Sequence, residues 1–222
     1  MLPLKLQNPD VFDLAPGVVL LLSDAFTSSR TLQGELQVNL NAKDASFRKD
    51  PDGTFVFIDV LAPGNYTFNV RSVPATPYYL PTDIKVTLPF TKATWPAYPD
   101  LGLANPDKML DDPTQPLAYR AQRKLAALLP STNYPFPSGA TLVRGTVRAG
   151  TTSLAGATVH VTGQTGAYTT GDDGEYVLFF NHVVGRKQTV TLVASKAGKP
   201  DVNAAVDVLR GMTVTQDFKM AA

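Results

Sequence analysis

The sequence predicts a mainly β protein: two Greek-key β-sandwich domains in tandem, joined by a bridge rich in proline and aromatic residues that carries one short helix. Three observations predict it. Apolar residues recur at period two in short runs, the pattern of half-buried strands. Turn formers are plentiful, with 18 prolines and 16 glycines in 222 residues, as needed where many short strands must reverse. One device also occurs twice, an acidic Asp-Gly turn flanked by apolar alternation, in Lys49–Phe57 (KDPDGTFVF) and again in Tyr168–Phe180 (YTTGDDGEYVLFF). Asp-Gly tolerates positive φ in a tight turn, so the second copy reads as a β-hairpin and the first as its echo. Two copies point to two related domains.

Residues 1–17 form the first segment, an extended arm interrupted by Pro3, Pro9 and Pro16. It either lies on the surface of its own chain or adds as a strand to a neighbour. The first sandwich is expected over residues 18–92. Val18–Leu22 is apolar throughout, partly β-branched and too short for a helix, which makes it a buried strand. Asp24–Thr31 reads as a polar turn. Leu36, Val38 and Leu40 alternate with polar residues, and Thr54–Val60, after the Asp50–Gly53 turn, suits a strand covered on both faces. Tyr66, Phe68 and Val70 give another strand with one wet face, and Ile84, Val86 and Leu88 a further one.

Residues 93–138 read as a linker. Trp95–Pro99 and Tyr134–Pro137 mix aromatic residues with proline and continue neither sheet. Between them a helix is expected over about 115–129, capped by Asp112 or Thr114, with Pro116 tolerated in its first turn. Leu117, Ala121, Leu125 and Leu128 would share its apolar face and dock on the flanking domains or on a partner, since so short a helix is not stable alone.

The second sandwich is expected over residues 139–222. Val143, Gly145 and Val147 mark its first strand, and Ala157, Val159 and Val161 its second. The Tyr168–Phe180 hairpin supplies the third and fourth. Thr189–Ala194, Ala205–Leu209 and Thr213–Met220 follow, with turns at regular intervals.

The order LVRGTV (Leu142–Val147), LAGATVHVTG (Leu154–Gly163), TTGDDGEYVL (Thr169–Leu178), VTLVASKAG (Val190–Gly198) and the final GMTVTQDFKM resembles the carboxypeptidase regulatory-like, or transthyretin-like, β-sandwich. The resemblance covers nearly all of residues 141–220. In the first domain it is looser, carried by DGTFVFIDVLAPGNYTFNV (Asp52–Val70). It implies a fold far more than a function, because such domains accompany peptidases, outer-membrane receptors, adhesins and starch-binding-like modules alike.

Composition excludes several kinds of chemistry. The formal net charge is +1, which offers no electrostatic footprint for nucleic acid or an anionic membrane. There is no cysteine, hence no disulfide, thiolate metal site or cysteine nucleophile. The longest aliphatic run, Val18–Leu22, is far below the ~20 residues of a spanning helix. The N-terminus has no basic start followed by an apolar run, so the chain is expected to be cytoplasmic or incorporated in a particle.

His160 and His182 fall on separate elements with no metal-ligand spacing. Asp172, Asp173 and Glu175, with Asp50 and Asp52 on the other turn, offer oxygen ligands for calcium, yet the turn geometry itself prefers Asp and Gly there. No Gly-x-Ser-x-Gly elbow and no phosphate loop opening a helix occur. No cofactor, metal or enzymatic activity is expected. The functional lead is aromatic: Trp95, Tyr98, Tyr134 and Phe136, together with Tyr78 and Tyr79, either stack sugars or a protein partner or cement the two sandwiches. The expected role is a non-enzymatic structural or protein-interaction module, a subunit of a larger, phage-tail-like assembly. The alternatives are a carbohydrate-binding or adhesive module using the bridge aromatics, and a regulatory domain appended to an enzyme.

Overall fold

The computed structural model describes residues 18–41, 43–44, 47–49, 54–57, 64–75, 77–88, 123–164 and 166–221. The first sandwich contains β1 (Val18–Asp24), β2 (Leu36–Leu40), β3 (Lys43–Asp44), β4 (Phe47–Lys49), β5 (Thr54–Phe57), β6 (Gly64–Ser72), β7 (Thr82–Leu88) and β8 (Arg123–Leu128). The second contains β9 (Leu142–Ala149), β10 (Thr152–Ser153), β11 (Thr158–Val161), β12 (Ala167–Thr169), β13 (Glu175–Phe179), β14 (Lys187–Lys196), β15 (Lys199–Leu209), β16 (Thr213–Thr215) and β17 (Phe218–Met220).

Each half is two sheets around one core. In the first, the sheet β4-β5-β1-β8 faces the sheet β3-β2-β6-β7. Val18, Leu20, Leu22, Phe55 and Phe57 from one meet Val38, Phe68, Val70, Val86 and Leu88 from the other. The alternation read from the sequence is what buries them, since every second side chain of a strand shares a face. In the second half, β9 is flanked by β13 on one side and by β16 and β17 on the other, opposite the sheet β12-β11-β14-β15. Val143, Val147, Val159, Val161, Leu192, Val208 and Phe218 fill the space between.

The two halves repeat one topology. The orders β3-β2-β6-β7 and β12-β11-β14-β15 correspond strand for strand. In each half the first described strand runs antiparallel to the strand that follows the Asp-Gly pair in sequence, β1 with β5 and β9 with β13. It also runs parallel to the last strands, β1 with β8 and β9 with β16 and β17. Residues 89–122 stand in the chain between β7 and β8, where the second half needs only Arg210–Met212 between β15 and β16.

Two sequence expectations are corrected. The Tyr168–Phe180 stretch is not a hairpin: β12 pairs with β11 while β13 pairs with β9, so the acidic turn carries the chain from one sheet to the other. Buried Thr170 fixes that crossing. Its hydroxyl donates to the Leu154 carbonyl at 2.6 Å and accepts the Ala157 N–H at 2.9 Å. Gly174 completes it at φ +72°, with its carbonyl accepting the Val147 N–H at 2.9 Å, and a Cβ there would stand 2.7 Å from the Val147 oxygen. The upstream copy does flank a hairpin, since β4 and β5 pair antiparallel through Phe47 with Phe57 and Lys49 with Phe55.

The second correction concerns the helix expected over 115–129. Residues 115–122 lie outside the described residues, and Arg123–Leu128 is strand β8, in parallel register with Val19–Asp24. Ala, Leu, Lys and Arg favour a helix intrinsically, but a vacant edge beside β1 outweighs that weak preference. Leu128 is fully buried whereas Leu125 is 57% exposed, the alternation of a strand rather than the stripe of a helix. The stretch read as a linker thus completes a sheet of the first sandwich. The arm 1–17 lies outside the described residues.

Candidate functional site

Of the six aromatic residues singled out, Trp95 and Tyr98 lie outside the described residues, and Tyr78 and Tyr79 pack against the first core. Tyr134 and Phe136 follow β8 and come to rest between the sandwiches. Their anchor is a residue that sequence reading placed only at the start of a polar turn, Asp24, the last residue of β1 and almost wholly buried. Its Oδ1 accepts the backbone N–H groups of Phe26 (2.7 Å) and Thr27 (3.0 Å). Its Oδ2 accepts the hydroxyls of Tyr79 (2.8 Å) and Tyr134 (2.5 Å). A buried carboxylate is tolerable only when paired or fully hydrogen-bonded, and here four donors converge on it.

Burial raises the pKa of both hydroxyls well above the ordinary tyrosine value. The Asp24 carboxylate raises them further, against the lowering effect of the Gln33 N–H on Tyr79. Both therefore stay protonated and act as donors.

Above the knot the aromatic rings interlock. Phe26 packs edge-on against Tyr134, Phe136 and, from β13 of the second sandwich, Phe179, with centroids 6.0, 5.1 and 5.6 Å apart. Tyr134 also meets Tyr79 at 5.7 Å and Phe136 at 4.7 Å. The Tyr134–Phe136 pair is tilted and the others are edge-to-face, and such pairs contribute beyond the area they bury. Phe136 packs against both cores. From the second sandwich Arg144 places its guanidinium 5.5 Å above the Phe136 ring and donates to the Thr132 carbonyl at 3.0 Å. Asn181 donates to the Phe26 carbonyl at 3.1 Å. Burial pushes Tyr168 up to about 12, although the backbone of Thr132 hydrogen-bonds it.

Beside the junction an open cleft of about 370 Å³ runs along Tyr134–Ala140, β9 and Thr213. Asp172 and Asp173 are exposed, and Asp173 Oδ1 accepts the Glu175 N–H at 2.9 Å within its own turn. Asp50 and Asp52 lie outside the described residues. His160 is half-buried and His182 exposed, on separate elements. Among the described residues no three acidic or histidine side chains converge to hold a metal ion, and no helix is long and apolar enough to cross a membrane.

No protein-family model matches the chain, and no curated protein matches it in sequence. Several solved structures align with it at low identity. The Bacillus anthracis TIE protein aligns over 92% of this chain at 11% identity and a TM-score of 0.31, and the chain spans 34% of that protein's length. The minor pilin GBS52 of Streptococcus agalactiae aligns over 92% of this chain and 94% of its own, at 10% identity and a TM-score of 0.26. A candidate cell adhesion protein of Bacteroides ovatus aligns over 91% of this chain and 90% of its own, at 12% identity and a TM-score of 0.24. None of these likenesses bears on the chemistry of the junction.

Tyr134 is buried, with ring neighbours in Phe26, Tyr79 and Phe136, so it presents no open face for a sugar. What the arrangement does is mechanical: it fastens one sandwich to the next.

Proposed function

We propose that this chain is a non-enzymatic structural module in which two sandwiches are fused into one rigid unit that presents its surfaces and sheet edges to other protein subunits. The observation that carries this reading is the aromatic junction, where Phe26, Tyr134, Phe136 and Phe179 join the two cores over the Asp24 knot. A flexible tether would leave such rings in water, and interfaces within a chain move unless they are apolar and well packed. Among the described residues β3 and β7 of the first half, and β12 and β15 of the second, stand at the ends of their sheets, the positions at which a partner strand adds. Reading the second sandwich as a carboxypeptidase regulatory-like unit is supported by its motifs, which fall on β9, β11, β13, β14 and the β16–β17 pair.

Residual dipolar couplings test the rigid unit. Amides of the two sandwiches should fit one alignment tensor in the wild type and two in Phe136→Ala, with each half still folded. Independent tensors in the wild type would sink the proposal. So would glycan binding that disappears in Trp95→Ala while the fold persists, since the bridge would then be a recognition surface.

A further inference from the structure

We infer that each sandwich is a tension-bearing element, its first and last strands forming a clamp that a pull along the chain loads in shear. This goes beyond the structural role proposed above and depends on strand topology, not on the rigidity of the junction.

The load path follows from chain order. Tension enters the first sandwich at the start of β1 and leaves at the end of β8, and these two strands are adjacent and parallel. Six positions are in register, from Val19 with Arg123 to Asp24 with Leu128. A pull on Val18 toward the N-terminus and on Leu128 toward the C-terminus therefore drives the strands past one another along their length. The hydrogen bonds of a parallel ladder are evenly spaced and run across the strands, so the whole ladder must give at once. In a hairpin pulled open from its free ends the pairs break one after another. Residues 89–122 fall between β7 and β8 and carry no load until that ladder parts.

The second sandwich repeats the arrangement. Tension enters at β9 and leaves at β17, and β9 pairs parallel with β16 over Leu142–Arg144 and with β17 over Val147–Ala149. The gap between these runs is closed. Gln216 donates its backbone N–H to the Arg144 carbonyl at 2.9 Å, and its own carbonyl accepts the Tyr176 hydroxyl at 2.5 Å. Asp217 Oδ1 accepts both the N–H and the hydroxyl of Thr146, at 2.8 and 2.9 Å. Gly145 makes this approach available, because a Cβ there would sit 1.8 Å from the Gln216 oxygen.

The exit from β8 is fastened as well. Ala25 donates to the Leu128 carbonyl at 3.0 Å, Leu80 to Leu129 at 2.9 Å and Ser131 to Tyr78 at 2.7 Å. The Tyr134 hydroxyl on Asp24 then ties the departing segment back to the end of β1.

Single-molecule force spectroscopy on the full chain tests this. The absence of native cysteine makes introduced cysteines unique handles. Handles added before Met1 and after Ala222 load both clamps. Handles at Arg186→Cys and Arg210→Cys, exposed residues joined by a backbone hydrogen bond at the open end of the β14–β15 hairpin, peel that hairpin instead. Asn65→Cys with Thr87→Cys, an exposed register pair of β6 and β7, does the same for the first sandwich, so one misfolded variant leaves the comparison standing.

Forced unfolding reports the unfolding barrier, so the terminal pull should give two events, each at several-fold higher force than its peel. Asp24→Ala should lower only the first sandwich's event and Asp217→Ala only the second's. Terminal forces equal to or below the peel forces would overturn the inference. So would forces indifferent to both substitutions.

Discussion

Asp24 shows how much one residue organises. Removing its carboxylate in Asp24→Ala strands two buried tyrosine hydroxyls and two backbone N–H groups, and the first sandwich should lose on the order of 3 kcal/mol. Asp24→Asn keeps one acceptor oxygen and should lose clearly less. Denaturant midpoints read from first-sandwich amide resonances compare the two, and equal losses would mean that packing rather than hydrogen bonding holds the knot. The tyrosines add a pH dependence. Tyr79, Tyr134, Tyr168 and Tyr176 all have pKa values raised chiefly by burial. Their contribution to stability is therefore complete below the unfolded tyrosine value of about 10 and is lost as pH rises beyond it. Tyrosinate absorbance from these four should appear only together with unfolding; a smooth titration of the native fold would contradict the burial. None of this was legible in sequence. An aspartate after an apolar run reads as the start of a turn, and its partners stand 55 and 110 positions away.

Elements were legible where the period alone decides them. β1, β2, β6 and β7 lie on the runs expected of them, because alternation determines which residues face a core. Partner choice is another matter. β4 and β12 are each followed in sequence by an Asp-Gly device, yet β4 pairs with β5 whereas the second device carries the chain between sheets. That crossing is held by Thr170, whose hydrogen bonds to Leu154 and Ala157 belong to tertiary context. β8 is the sharper case, since its helix-favouring composition is overridden by the edge of β1. Leu125 and Leu128 separate the two geometries. Leu125→Lys should change stability by no more than about 0.5 kcal/mol because that side chain is largely in water. Leu128→Ala should cost about 2–5 kcal/mol. Thermal melts of both variants decide between them, and comparable large losses would restore the helical face.

At the scale of the whole molecule one topology is used twice and joined by aromatic residues from the stretch that reads as a linker. Sequence left Tyr134 and Phe136 open between a partner or sugar contact and a cement for the two sandwiches, since a proline-aromatic segment continues neither sheet in either role. That the same stretch supplies a strand to the first sheet was not legible. The parallel pairing of first and last strands also sets an order for synthesis. β1 reaches its β8 partner only after more than a hundred further positions have been made, against about seventy for β9 and β16. Loop-closure entropy grows so slowly that the extra length costs only a few tenths of a kcal/mol. Time is the greater cost. While the nascent chain lengthens, Val18–Leu22 stands beside β5 with its other edge unpaired, an apolar strand edge open to any neighbouring chain. Until the ribosome delivers Arg123–Leu128, the strand best placed to bear load is also the one most exposed to aggregation.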